Sequence, residues 1–130
     1  MRVVDASVVL ELVLGTEAGV MILDRYFDGR EALHAPCLLD VEVAQVLRRY
    51  VARGDVSDER GREAIDLLVN LPIRRHDHGA LLERTWELRG NLTAYDAVYV
   101  ALAEGLRATL VTRDRRLAGA VGVAAAVELI

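Results

Sequence analysis

An α/β/α sandwich built on a central parallel sheet is the architecture this chain predicts, and three observations predict it. Short apolar runs suited to buried strands alternate along the sequence with longer stretches of helical period. The first such run, Arg2 to Val4, stops at a carboxylate, Asp5, and a helical pattern resumes at once. A later run, Thr109 to Thr112, is followed by Asp114 and so repeats the strand-then-acid arrangement. Strands that alternate with helices pair in parallel and are covered on both faces. In an open sheet of that kind ligands gather at the carboxyl ends of the strands, where both acids stand.

Taken in order, Ala6 to Leu14 reads as a helix, broken by Gly15 and Thr16, with Thr16 available to cap the next one. Glu17 to Phe27 is amphipathic, and Asp28-Gly29 ends it. Leu33 to Ala35 predicts a short strand closed by Pro36. Cys37 to Arg53 is a long helix with Leu39, Val43, Val46, Leu47, Tyr50 and Val51 as its apolar side, stopped at Gly54. Ser57 to Leu71 is a further helix whose inner face is Ile65, Leu68 and Val69, and Ile73 to Arg75 is a strand. Ala80 to Arg89 is a shorter helix ending at Gly90, and Ala94 to Gly105 is apolar enough to be a helix buried on most sides. Thr109 to Thr112 is a strand, Arg113 to Ala118 a short helix, and Ala124 to Leu129 the last strand.

Composition narrows the class. A chain of 130 residues, 53% hydrophobic and 28% charged, predicts one globular domain over residues 1–130 rather than a disordered segment. No apolar run approaches the ~20 residues of a membrane span, and the opening residues lack signal-peptide organisation, so a cytoplasmic protein with no membrane association is expected. The single cysteine, Cys37, rules out an internal disulfide and a Cys-based zinc site. A formal charge of -4 argues against holding nucleic acid by bulk electrostatics, while leaving room for a nuclease that meets phosphate through metal ions. All sixteen basic side chains are arginine. Without lysine, receiver-type and haloacid-dehalogenase-type acidic pockets and the phosphate-binding GxxxxGK[ST] loop are excluded, and neither GxGxxG nor GxSxG occurs.

Four carboxylates recur where chemistry would be placed. Asp5 ends the first strand, Glu42 lies among apolar neighbours of the long helix, Asp96 opens the buried helix and Asp114 follows the strand Thr109 to Thr112. Each also has an ordinary structural role available. Asp5 or Ser7 suits a helix cap, Glu42 could pair with Arg49, Thr93 and Asp96 have the spacing of a capping box, and Thr112 or Asp114 suits the start of the short helix. Asp40 points to another side of its helix and is expected to serve the helix start. Four acids gathered at one edge repel one another unless divalent cations or arginines stand among them. Oxygen-rich sites of this kind suit Mg²⁺ or Mn²⁺, which activate water and neutralise charge on a phosphodiester. Metal-assisted phosphodiester hydrolysis is the reaction these residues point to.

At the same positions the chain resembles a known family. VVDASVVLEL, LLDVEVAQVLRRY, LTAYDAVYVALAE and LVTRDRRL resemble the four motif blocks of the PIN-domain ribonucleases, in order and over essentially the whole chain. The likeness is strongest to the VapC toxins of type II toxin–antitoxin pairs. It implies a Mg²⁺- or Mn²⁺-dependent endoribonuclease, usually a homodimer, acting on RNA and held inactive by a VapB-type antitoxin whose C-terminal segment lies along a groove. It also implies that Asp5 and Asp96 are metal ligands, that Glu42 is a ligand or orients water, and that Asp114 binds metal directly or through water. Thr112 and Ser7 would support the acids.

The remaining candidates are weighed beside these. Arg113, Arg115 and Arg116 flank Asp114 and are candidates for guiding RNA phosphates. His76-Asp77-His78 and His34 are read as loop or structural residues rather than ligands, Tyr95 and Tyr99 as core or interface before base-stacking platform, and Trp86 as packing. Two other functions stay open at this point: a PIN nuclease of RNA processing or DNA repair, and a binding module whose acids receive a partner's arginines.

Overall fold

The computed structural model describes residues 1–130. Five strands, β1 (Arg2–Val4), β2 (Leu33–Pro36), β3 (Ile73–His76), β4 (Thr109–Thr112) and β5 (Val127–Leu129), form one sheet in the order β3-β2-β1-β4-β5. Every pairing is parallel. Seven helices accompany them: α1 (Ala6–Leu14), α2 (Glu17–Tyr26), α3 (Leu38–Ala52), α4 (Asp58–Asn70), α5 (Leu82–Glu87), α6 (Ala94–Leu106) and α7 (Arg115–Ala118). The chain runs outward from β1 through β2 to β3, then crosses back to β4 on the other side of β1. α1 packs on α2, α3 and α4, and α6 packs on β1, β2 and β4, so helices flank the parallel sheet as expected. The reversal lies between β1 and β4, so the carboxyl ends of those two strands flank the crevice where open sheets bind ligands.

The most apolar strands hold the centre. Val3 and Val4 of β1 and Leu110 and Val111 of β4 have no exposed surface, and a single buried cluster joins them to α1, α3 and α6. The edge strand β5 is tied to the rest by Glu128, which accepts from the guanidinium groups of Arg2 and Arg25 and, at 2.9 Å, from the hydroxyl of Tyr26. No single helix is long and apolar enough to cross a membrane.

Several boundaries differ from the sequence reading for identifiable reasons. Pro36 lies inside β2 instead of closing it, opposite His76. β1 pairs with β2 only at Leu33 and His34, so Pro36 has a strand on one side alone, and its missing N–H leaves the ladder intact. The last strand begins at Val127 because the Ala124 amide is first drawn to Glu104 of α6, 2.8 Å away. The helix expected from Arg113 starts at Arg115, since Asp114 is its cap. The segment Ala80 to Arg89 is α5 flanked by 3₁₀ turns at Gly79–Leu81 and Leu88–Gly90.

The turn between α1 and α2 is built as read. Gly15 takes the left-handed conformation at φ 62°, and the Thr16 hydroxyl accepts from the Gly19 amide at 3.0 Å. Gly19 itself sits against α1 so tightly that an added Cβ would lie 2.1 Å from the Glu11 carbonyl oxygen. That contact is with backbone, so no side chain can swing aside. Gly19→Ala is therefore expected to destabilise the fold by about 1–3 kcal/mol, despite the better helix propensity of alanine. Thermal denaturation checks this: a fall of several degrees in Tm is expected, and an unchanged Tm would show that the helix pair is not packed backbone to backbone.

Candidate active site

Burying a carboxylate costs stability unless donors meet it, and Asp5 is buried, with 6% of its surface exposed. Its donors come from both sides of the β1–β4 crevice. Oδ1 accepts from the Ser7 hydroxyl at 2.6 Å and from the Val8 amide at 3.2 Å, and Oδ2 accepts from the Thr112 hydroxyl. Both hydroxyls then accept from the loop after β4. Ser7 Oγ takes the Arg113 amide at 2.9 Å, and Thr112 Oγ1 takes the Asp114 amide at 2.9 Å. Asp5 thus caps α1, as its bland reading held, and also fixes the loop that carries Asp114. Burial pushes its carboxyl above the ordinary range, and the hydroxyl and amide donors offset only part of that rise.

Asp114 caps α7 with Oδ1, which accepts from the amides of Arg116 at 2.9 Å and Leu117 at 3.4 Å. Its Oδ2 faces the Arg116 guanidinium at 3.4 Å, and the same Nη2 lies 2.8 Å from Asp96 Oδ2. Arg116 is held above its ordinary pKa by these two charges, Asp96 first. Thr93 caps α6 by accepting from the Asp96 amide at 3.2 Å. The carboxylate of Asp96 is spent on Arg116 rather than on the amide of Thr93, so half of the expected capping box forms.

Glu42 does not pair with Arg49. It lies half-buried on α3, and its Oε1 accepts from the Tyr99 hydroxyl of α6 at 2.7 Å. Burial raises its pKa most, and the charges of Asp96 and Asp5 raise it further, while the Tyr99 bond works the other way. Asp96 and Asp5 therefore lie near enough for their charges to bear on Glu42. Tyr99, read as core, is buried, and it is also the group that orients Glu42. The available signal was its position one turn after Asp96, which points both residues the same way.

The other candidates fall elsewhere. Asp40 lies in the first turn of α3 as expected and also pairs with Arg75 of β3 at 3.0 Å. His34 Nδ1 and His76 Nε2 share a hydrogen bond of 2.8 Å on one sheet face, and His78 Nε2 accepts from the Leu38 amide at 3.1 Å, so the histidines are structural. Arg113 approaches Glu11 at 3.7 Å, and Arg115 is exposed. Trp86 is not packing: it is 68% exposed, with Arg89 stacked 4.6 Å from its ring centre. Tyr95 is also exposed, beside Asp96. A groove of about 660 Å³ between α3 and α4, floored by Leu47, Val51 and Ile65, contains none of the four acids, and its charged rim includes the Arg62–Asp58 ion pair at 2.8 Å.

The four acids face one edge without closing on a common point, and no three His, Cys, Asp or Glu side chains do so anywhere in the chain. The residues present nevertheless fit a hard divalent cation. Their donors are carboxylate and hydroxyl oxygens, with no sulfur or imidazole among them. A positive group, the Arg116 guanidinium, already stands between two of them.

Comparison with known proteins identifies the family. Residues 2–122 match the model of the PIN domain. The chain is 43% identical over 129 residues to Ribonuclease VapC1 of Mycobacterium tuberculosis, covering 98% of this chain and 96% of that protein. It is 41% identical over 130 residues to Ribonuclease VapC12 of the same organism, covering 100% and 99%. Among solved structures, PAE2754 from Pyrobaculum aerophilum superposes with a TM-score of 0.70 at 26% identity, over 97% of this chain and 81% of that one. Mycobacterium tuberculosis VapC20, described as a Sarcin-Ricin loop cleaving toxin, shares the fold with a TM-score of 0.69 at 16% identity, over 95% and 98%.

A buried acid whose folded pKa is raised favours folding most when protonated. Its contribution is complete below the unfolded value, near 3.8, and is lost as pH rises through the higher folded value. Asp5→Asn removes that opposition. With EDTA present, the variant is expected to melt at or above the wild-type Tm at pH 7.5, with the gap narrowing toward pH 4. A variant that melts well below wild type at pH 7.5 would show that the Asp5 charge stabilises the fold.

Proposed function

The chain belongs to the PIN-domain family and, within it, to the VapC ribonucleases, and from that membership we propose that it is a Mg²⁺- or Mn²⁺-dependent endoribonuclease toxin. The observation that carries the reading is that Asp5, Glu42, Asp96 and Asp114 face one carboxyl edge at the β1–β4 crevice, with the Arg116 guanidinium paired to two of them. Asp5 and Asp96 would be the firmest ligands, with Asp114 and Glu42 completing the set. A divalent ion held there would polarise a phosphate oxygen and lower the pKa of a water.

The chain's own residues do the rest. The hydroxyls of Ser7 and Thr112 hold both oxygens of Asp5, so a ligand there is positioned before the ion arrives and loses little freedom on binding it. Tyr99 fixes Oε1 of Glu42 and leaves Oε2 to orient an attacking water and take its proton, a role suited to a carboxylate whose pKa is raised. Arg113 and Arg115, on the loop beside Asp114, would receive the RNA phosphates flanking the scissile bond. A VapB-type antitoxin would restrain the enzyme, and the apolar floor between α3 and α4 offers its helical segment a seat. A homodimer in the cytoplasm completes the proposal. Retention of every acid at the edge favours catalysis over a module that only receives a partner's arginines, because Asp5 makes no ion pair and is held by neutral donors alone.

Purified protein given a pool of single-stranded and structured RNA should cut it with Mg²⁺ or Mn²⁺ and stop on addition of EDTA. Asp96→Asn, at a side chain whose only bond is to Arg116, should keep the fold and lower the rate to about a hundredth or less. Metal-independent cutting, or a fully active variant, would refute the assignment. Tyr99→Phe tests the orientation of Glu42: the rate is expected to fall about ten- to a hundredfold while RNA binding is unchanged. A wild-type rate in that variant would show that Glu42 needs no fixing.

A further inference from the structure

Three arginines follow β4, and their surroundings differ. Arg113 leans toward Glu11 on α1, Arg115 is exposed, and only Arg116 reaches the acidic edge. Its Nη2 bridges Asp96 Oδ2 at 2.8 Å and Asp114 Oδ2 at 3.4 Å, and its backbone amide is fixed by Asp114 Oδ1 at 2.9 Å. Beyond those two carboxylates the side chain has no partner, and it is 67% exposed. It is a cation of the chain itself, anchored at its root, placed where two candidate ligands meet, and free to swing into solvent.

We propose that Arg116 is a metal gate: its guanidinium occupies the Asp96–Asp114 position in the unloaded enzyme, must leave for a divalent ion to enter, and once released binds an RNA phosphate. The inference rests on the metal reading above and adds how that site is regulated. One carboxylate oxygen of Asp96 cannot serve the guanidinium and an ion together without crowding two positive charges. Entry of the ion therefore works against the ion pair and raises the concentration of metal needed to load the site. Release is open to the side chain, because the group is exposed and water can take the place of its partners. The released arm starts from the first turn of α7, at the rim of the acidic edge, so RNA and metal both favour the same outward state and each strengthens the other's binding.

The test is direct binding of Mn²⁺ to the purified protein, read from the electron paramagnetic resonance of the free ion, for wild type, Arg116→Gln, Arg115→Gln and Asp96→Asn. Arg116→Gln should bind Mn²⁺ about tenfold or more tightly than wild type. Arg115→Gln removes the same charge from the same short helix without touching an acid, and should stay within about twofold. Asp96→Asn should bind weakly. In the cleavage assay Arg116→Gln should reach half its maximal rate at lower Mn²⁺ yet show a higher KM for RNA. Equal affinities in Arg116→Gln and wild type, or equal gains in the two arginine variants, would overturn the gate while leaving the metal site standing. Absence of Mn²⁺ binding in every protein would overturn the metal site and the gate with it.

Discussion

Everything at the carboxyl edge depends on how one buried carboxylate is satisfied. Asp5 cannot be removed from water without donors, and the chain meets it with two hydroxyls and one amide rather than with a cation. Because those hydroxyls also accept from the amides of Arg113 and Asp114, the same five groups join β1, the start of α1 and the loop after β4. The fold's topological reversal and its chemistry are therefore a single construction. A neutral shell leaves the charge of Asp5 uncompensated, which is unfavourable for stability and favourable for holding a cation.

Much of this was legible in the residues. The alternation of apolar runs and amphipathic stretches specifies a parallel sheet covered by helices, and strand-then-acid at Asp5 and again at Asp114 marks the two strands that flank the crevice. The capping roles of Asp5, Thr16 and Thr93 follow from local spacing alone, since a cap is a contact between residues three apart. What local spacing does not encode is which side chains meet across the sheet. Tyr99 reads as an apolar-face residue of α6, and only the packing of α6 near α3 brings its hydroxyl to Glu42, 57 residues away in sequence. Asp40 is the first-turn acid its position suggests, but its pairing with Arg75 of β3, 35 residues on, is not visible in local spacing. Pro36 looked like a stop because the sequence does not reveal that its strand is one-sided at that residue.

The charge pattern has a consistent logic. A net charge of -4 gives RNA no general attraction, so affinity has to be local, and the arginines are placed accordingly. Arg2, Arg25, Arg75 and Arg84 are committed to structural ion pairs on other parts of the surface. Arg113, Arg115 and Arg116 crowd the loop beside Asp114, where positive charge is next to the acids instead of spread over the molecule.

The most direct measurement of the central claim is an anomalous difference map from crystals grown or soaked with Mn²⁺. The account predicts a manganese peak within coordination distance of the carboxylates of Asp5 and Asp96, with the Arg116 side chain turned away from Asp96. A map with no manganese at that edge, or with manganese only beside His34, His76 and His78, would contradict it.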